Sequence, residues 1–299
     1  METPGETDGT DNMGGEETAM NIAEFVANND NYSTLLAAVE YAGLGDALAN
    51  EDSELTVFAP DNAAFETWLN GAALDSFTPE EVAQVLLNHI IGAELNAETV
   101  SGAVPTYQST LATGPSNLAG EATNVSIFID EDLTINGESD ITGADAFDAS
   151  NGIIHAVSSV INLPNISTFA IADSRLSTLT EALVAQELVG TVDSFNPATV
   201  LAPLNSAFSA LDAVPAGEAL TSVLTYHVIS GVNAVASDVI GLEETPATVQ
   251  GQTIAVTLLD DSPAFMGNAN AEAASVVIAD IQAVNGVVHV IDTVLLPSE

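Results

Sequence analysis

Four histidines, His89, His155, His227 and His289, are the side chains best suited to chemistry near neutral pH, because imidazole titrates there unaided. Such a ring serves as general base or metal ligand when a nucleophile or further ligands stand at fixed spacing. His155 closes the box NGIIH (151–155) and His289 the box NGVVH (285–289). Both lie in apolar runs, with no Asp or Glu at ligand spacing and no cysteine in the chain. They are expected to be structural, buried and hydrogen-bonded to backbone so as to fix the last strand of their segment. His227 differs, because Tyr226 beside it is amphipathic and suited to a surface. No G-x-S-x-G elbow occurs, and without lysine no S-x-x-K site exists. No catalytic residue, metal ligand or cofactor is expected.

Carboxylates are the other reactive groups. Asp and Glu number 43 against a single basic residue, Arg175, for a formal charge of −42 in 299 residues. Carboxylate pairs are so frequent that none singles out acid–base catalysis of the glycosidase kind. Asp130-Glu131-Asp132, Asp145 with Asp148, and Asp260-Asp261 offer hard oxygens for calcium. None has EF-hand spacing, and the first also makes a turn between strands. Calcium is therefore expected as a weak binder only. With one cation the chain cannot release counterions from nucleic acid or dock on an anionic membrane. Yet 47% of residues are hydrophobic, too many for a disordered acidic tail. No apolar run reaches the roughly 18–20 residues of a membrane span.

The positioning elements follow from an internal repeat. TVFAPDNAAF (Thr56–Phe65) returns as TVLAPLNSAF (Thr199–Phe208), LLNHIIG (Leu86–Gly92) as VLTYHVISG (Val223–Gly231), and NGIIH as NGVVH. The order is kept, while the separation shrinks from 143 to 138 to 134 residues, as loop deletions in the second copy would produce. All four histidines fall in paired positions. Helical spacing covers Ser33–Tyr41 and Pro79–His89, the latter opened by Thr78-Pro79-Glu80-Glu81, with a cap, a proline at the first position and Glu at the third. Short strands at Leu55–Ala59 and Thr199–Ala202 stop at Pro60 and Pro203. Asn62 and Asn205 are then placed to cap a helix that sends Phe65 or Phe208 to the core. Further strands are read at 125–129, 133–135, 152–161, 254–259, 275–279 and 287–296. Helices first and strands later give an α+β plan.

These boxes, T-V-x-A-P-x-N-x-A-F, a central Tyr-His element and a closing N-G-x-x-H strand, resemble those of the fasciclin-like domain over about residues 20–297, in two tandem copies. The resemblance implies, for each copy, a wedge-like β-sandwich flanked by helices. It also implies a non-enzymatic role in cell adhesion or matrix, with partner contact at Tyr226 and His227. The first copy departs from the pattern, with Asn88 where the tyrosine would stand. Residues 1–20 read as a disordered acidic tether, 21–164 as the first domain and 165–299 as the second. The opening METPGETDGT has no signal pattern, so the expected secreted or surface-tethered location rests on a targeting segment outside this numbering. The expected function is adhesion or biofilm-type matrix cohesion by a salt-adapted protein. The partner is left open among protein, polysaccharide and a second copy. The alternative is a soluble ligand-binding or hydrolytic protein with its site in a cleft between the domains.

Overall fold

The computed structural model describes residues 19–260 and 262–298. All but the last two residues of the acidic tether assigned to 1–20 lie outside these, as does Asp261. The first module runs from a helix at Ile22–Ala27 through seven strands: β1 (Leu55–Pro60), β2 (Ile90–Ile91), β3 (Thr106–Thr113), β4 (Asn124–Ile129), β5 (Thr134–Ile135), β6 (Ser139–Ala149) and β7 (Gly152–Val157). The second runs from a helix at Ile166–Ala172 through β8 (Ala198–Pro203), β9 (Val228–Ser230), β10 (Ala255–Leu259), β11 (Ser262–Met266), β12 (Ala274–Ala283) and β13 (Gly286–Ile291). Strand orders are β2-β1-β7-β6-β5-β4-β3 and β10-β11-β12-β13-β8-β9.

The two boxes of each repeat meet at the centre of the sheet. β1 runs parallel to β7 from Leu55↔Gly152 to Pro60↔Val157, and β8 parallel to β13 from Ala198↔Gly286 to Pro203↔Ile291. Both pairs are buried on both faces. Val57 and Ala59 pack with helical residues such as Leu35, Val39 and Leu86, whereas Phe58 packs with Ile127, Ile129 and Ile135 of the outer strands. Alternate side chains of one strand thus enter two cores. Register shifts in β6 and β12 mark the bulges there, which raise the local twist. The result is the α+β plan read from the sequence, as the sandwich flanked by helices that the resemblance implies.

Helix Pro79–Leu87 starts where expected: Thr78 N–H donates to Glu81 at 2.8 Å, and Glu81 N–H to Thr78 Oγ1 at 3.2 Å. Gly152 and Gly286 show why the Asn-Gly boxes need glycine. Their φ angles are +145° and +151°, and a Cβ would lie 2.0 Å from the carbonyl oxygen of Leu55 or Ala198 on the neighbouring strand. One expectation is corrected. The cap of helix Asn62–Leu69 is Asp61, whose carboxylate accepts from Ala64 N–H at 2.9 Å. Asn62 instead reaches across to accept from Thr34 N–H and donate to Asp30 O. Asn205 repeats this with Thr178 and Ser174. A side chain on the first helical residue points away from its own orphan N–H groups, so it is free to bind a neighbouring segment.

The modules share a core across the short connection at Pro164-Asn165. Phe128 of β4 packs with Ile166, Phe169 and Leu176 of the second module, and Tyr107 of β3 packs against the same cluster. The Tyr107 hydroxyl donates to buried Asp173 at 2.8 Å. Arg175 clamps that carboxylate through Nε and Nη2, the shortest contact being 2.7 Å, and lies 5.9 Å from the Phe128 ring centre. Further along the seam, Gln282 and Asn233 exchange amide hydrogen bonds, Gln282 N–H donates to Ser126, and Asn233 donates to Pro115 O. The chain's only cation is thus spent on joining its halves.

Candidate functional site

Each histidine is buried with both ring nitrogens engaged by backbone. His89 Nδ1–H donates to Val85 O at 2.7 Å, and its Nε2 accepts from Ile161 N–H at 2.8 Å. His227 does the same with Val223 O and Leu295 N–H, at 2.7 and 2.9 Å. The other pair carries the opposite tautomer. His155 Nε2–H donates to Leu95 O and His289 Nε2–H to Ala234 O, while their Nδ1 atoms accept from Asp145 N–H and Asp280 N–H. Burial pushes His89 and His227 down to about 4 and lowers His289 as well.

The residue types of a catalytic triad do come together here. Thr56, His155 and Asp145 surround residues 93–97, and Thr199, His289 and Asp280 surround residues 232–236. Thr56 Oγ1 donates to Ala93 O and accepts from Leu95 N–H, and Asp145 Oδ1 accepts from Ala97 N–H. Thr199 and Asp280 repeat these bonds. The aspartates stand 3.9 Å from Nδ1 of their histidines. That nitrogen accepts a backbone N–H, so it is bare and has no proton to give the carboxylate. The threonine hydroxyl bonds backbone rather than imidazole. A triad needs the reverse on both counts. These sets fasten the loop behind the central strands. Asp145 and Asp280 have φ of +47° and +60° within the bulges, an arrangement hidden in a sequence that shows only two acidic residues, one in a mixed run and one in an apolar run.

Tyr226 and His227, expected at a partner surface, lie inside the second module, 0% and 3% exposed. The Tyr226 hydroxyl donates to Thr253 O at 2.9 Å and accepts from Asn268 N–H at 3.2 Å. Its ring packs with Leu201, Phe265 and Leu295. The expectation of an exposed ring fails because the hydroxyl finds backbone partners that let the whole side chain be buried. In the first module Asn88 is buried in its place and donates to Ile161 O and Asn162 O.

Of the acidic groups, Asp130 makes the expected turn: its Oδ1 accepts from Asp132 N–H and Thr134 N–H. Among the described residues no three His, Asp or Glu side chains are grouped to hold a metal ion. Between the modules lies a cleft of about 380 Å³ lined by residues including Gln108, Ser109, Ser126, Arg175 and Asp280. It contains no histidine, and the Arg175 fork is occupied by Asp173. Two larger clefts flank Trp68 and Phe77 on the first module, of about 480 and 500 Å³.

Comparison with known proteins agrees with this geometry. The model of the fasciclin domain family matches residues 30–164 and 174–297. Protein sll1483 of Synechocystis sp. is 36% identical over 152 residues, covering 50% of this chain and 76% of that protein. Transforming growth factor-beta-induced protein ig-h3 of Oryctolagus cuniculus is 32% identical over 251 residues, 81% of this chain and 34% of that protein. Among solved structures, a FAS1 domain pair from the insect cell adhesion molecule Fasciclin I covers 89% of this chain at 18% identity, with TM-score 0.51. At that identity the likeness is one of fold.

Proposed function

Because the chain belongs to the fasciclin domain family and carries two copies of its domain, we propose that it is a non-enzymatic adhesion or matrix protein, held at the cell surface or released from it. The observation that carries this reading is the shared core at the Tyr107–Asp173–Arg175 seam. It makes the two modules one stiff spacer, and paired modules gain avidity from weak single contacts when their geometry is fixed. The four histidines support the same reading, since each has both nitrogens committed to backbone and none is free as a base. The surface charge suits a saline setting, where carboxylate repulsion is screened.

Tyr226 and His227 serve partner contact from within, as positioning residues. They hold the backbone of Thr253, Asn268 and buried Leu295, and the first two reach the surface above them. The test is direct. Beads coated with the chain should cluster, or bind matrix of the producing cells, at seawater-like salt. Tyr226→Phe should weaken that binding while the fold persists. Turnover of ester, glycoside or peptide substrates, abolished by changes at Gln108 or Ser109, together with beads that never cluster or bind, would overturn the reading in favour of a cleft enzyme.

A further inference from the structure

We propose that the groove around Trp68 on the first module binds neutral polysaccharide, an inference that rests on the adhesion reading and gives it a ligand class. Trp68, the only tryptophan of the chain, stacks on Phe77 with ring centres 4.9 Å apart and meets Phe65 edge-on. The stacked pair is half-buried and lines both adjoining clefts. Its orientation is fixed from the side. Trp68 Nε1–H donates to Asn162 Oδ1 at 3.2 Å, and Asn162 donates its backbone and side-chain N–H to the two oxygens of Glu138, at 2.9 and 3.1 Å. A rigid aromatic ridge between a cleft of mixed polarity and a mainly apolar one edged by Glu80, Glu81 and Gln84 is what an extended chain of pyranose rings needs. Ring C–H faces lie on the indole, and hydroxyls reach side chains on either hand.

The chemistry of the lining selects the ligand. Glu80, Glu81 and Glu138 are acceptors, and none of the lining residues is basic. Uronate and sulfate chains would be repelled. Donors are present too. Gln84 spends its carbonyl oxygen on Thr113 N–H at 2.8 Å, which leaves its amide N–H groups without a partner among the described residues, as is the Ser159 hydroxyl hydrogen. Lysine and arginine carry donors only and would leave those groups unmatched, whereas a sugar hydroxyl both gives and accepts. The second module lacks the platform, since Leu211 stands three residues after Phe208 where Trp68 stands three after Phe65.

A single tryptophan makes the groove its own reporter. The intact chain is titrated with cellohexaose and mannohexaose, with polygalacturonate and oligolysine as anionic and cationic comparisons, in constant high salt. A saturable blue shift of the emission with at least one neutral oligosaccharide, and none with polygalacturonate, is expected. Glu138→Gln and Ser159→Ala should each raise the apparent Kd severalfold. Trp68→Phe, which keeps apolar packing, should lose about tenfold or more in affinity electrophoresis through neutral polysaccharide gels, as an anchor residue does. A response confined to oligolysine, no response to either oligosaccharide, or unchanged retention of Trp68→Phe and Ser159→Ala would overturn the proposal. Bead clustering is measured on the same samples. Clustering without sugar binding removes this site and leaves the adhesion reading standing, while sugar binding without clustering or matrix binding does the reverse.

Discussion

Acid should unfold this protein through two histidines before its carboxylates are protonated. His89 and His227 each accept a backbone N–H on Nε2, from Ile161 and Leu295. A proton there sets two donors against each other inside a core. Burial holds both rings at about 4 in the folded chain, against about 6.5 when unfolded. Between those values the unfolded chain binds more protons, so stability falls as pH falls. It is intact above about pH 7 and progressively lost toward pH 4. Linkage gives about 2 kcal/mol per ring at pH 5, or about 4 kcal/mol for both. That is a large part of a typical stability of about 5–15 kcal/mol. Urea unfolding at pH 8, 6 and 5 in constant high sodium chloride, which screens carboxylate repulsion, measures the loss. Trp68 fluorescence follows the first module and circular dichroism follows both. A midpoint that stays level or rises from pH 8 to 5 would refute the reasoning. So would ring resonances of His89 and His227 that titrate near 6.5 in the folded protein.

Carboxylates about 8 Å apart in water repel by roughly 0.5 kcal/mol, and with charge −42 such pairs are many, so the melting temperature should climb steeply from low to molar sodium chloride. A flat response would sink the repulsion argument, and a larger gain from millimolar calcium at matched ionic strength would point to specific calcium sites. Gly286→Ala places a Cβ 2.0 Å from Ala198 O and should destabilise by more than about 3 kcal/mol. A thermal melt within a degree of the parent would contradict the close approach of β13 and β8. Arg175→Ala leaves the buried Asp173 carboxylate with only the Tyr107 hydroxyl and the backbone N–H of position 175 and should cost about 3 kcal/mol or more. Calorimetry should then resolve two transitions where the parent has one, and a single unshifted transition would show that Arg175 does not hold the seam together.

Much of the architecture was legible because the repeat writes each key residue twice. The Asn-Gly-x-x-His boxes foretold the buried histidine, and the Thr78–Glu81 pair foretold the helix start. Other features left no periodic trace. β6 carries polar and acidic residues, and in β12 the bulge at Asp280 follows the apolar start, so neither alternation nor an apolar run announces their full length. β3 and β11 are similarly muted. Tyr226 misled because an amphipathic ring says nothing about whether Thr253 and Asn268 stand near enough to satisfy its hydroxyl. The seam was equally silent. Nothing adjacent to Phe128 shows that its neighbours Ile127 and Ile129 face one core while it faces another module.

The place of Arg175 has a consequence for degradation. Trypsin-like proteases cut after lysine or arginine, and this chain offers them one bond, Arg175–Leu176. That bond lies in the single turn at Ser174–Leu176, where Leu176 is fully buried and the guanidinium is held by Asp173. To be cut, the seam has to open, and cleavage of a rapidly reclosing site reports the population of the open form. In surroundings rich in basic-specific proteases, the folded protein is therefore a poor substrate, whatever its abundance of exposed loops. The same bond is a built-in gauge: its rate of scission reads how often the two halves part.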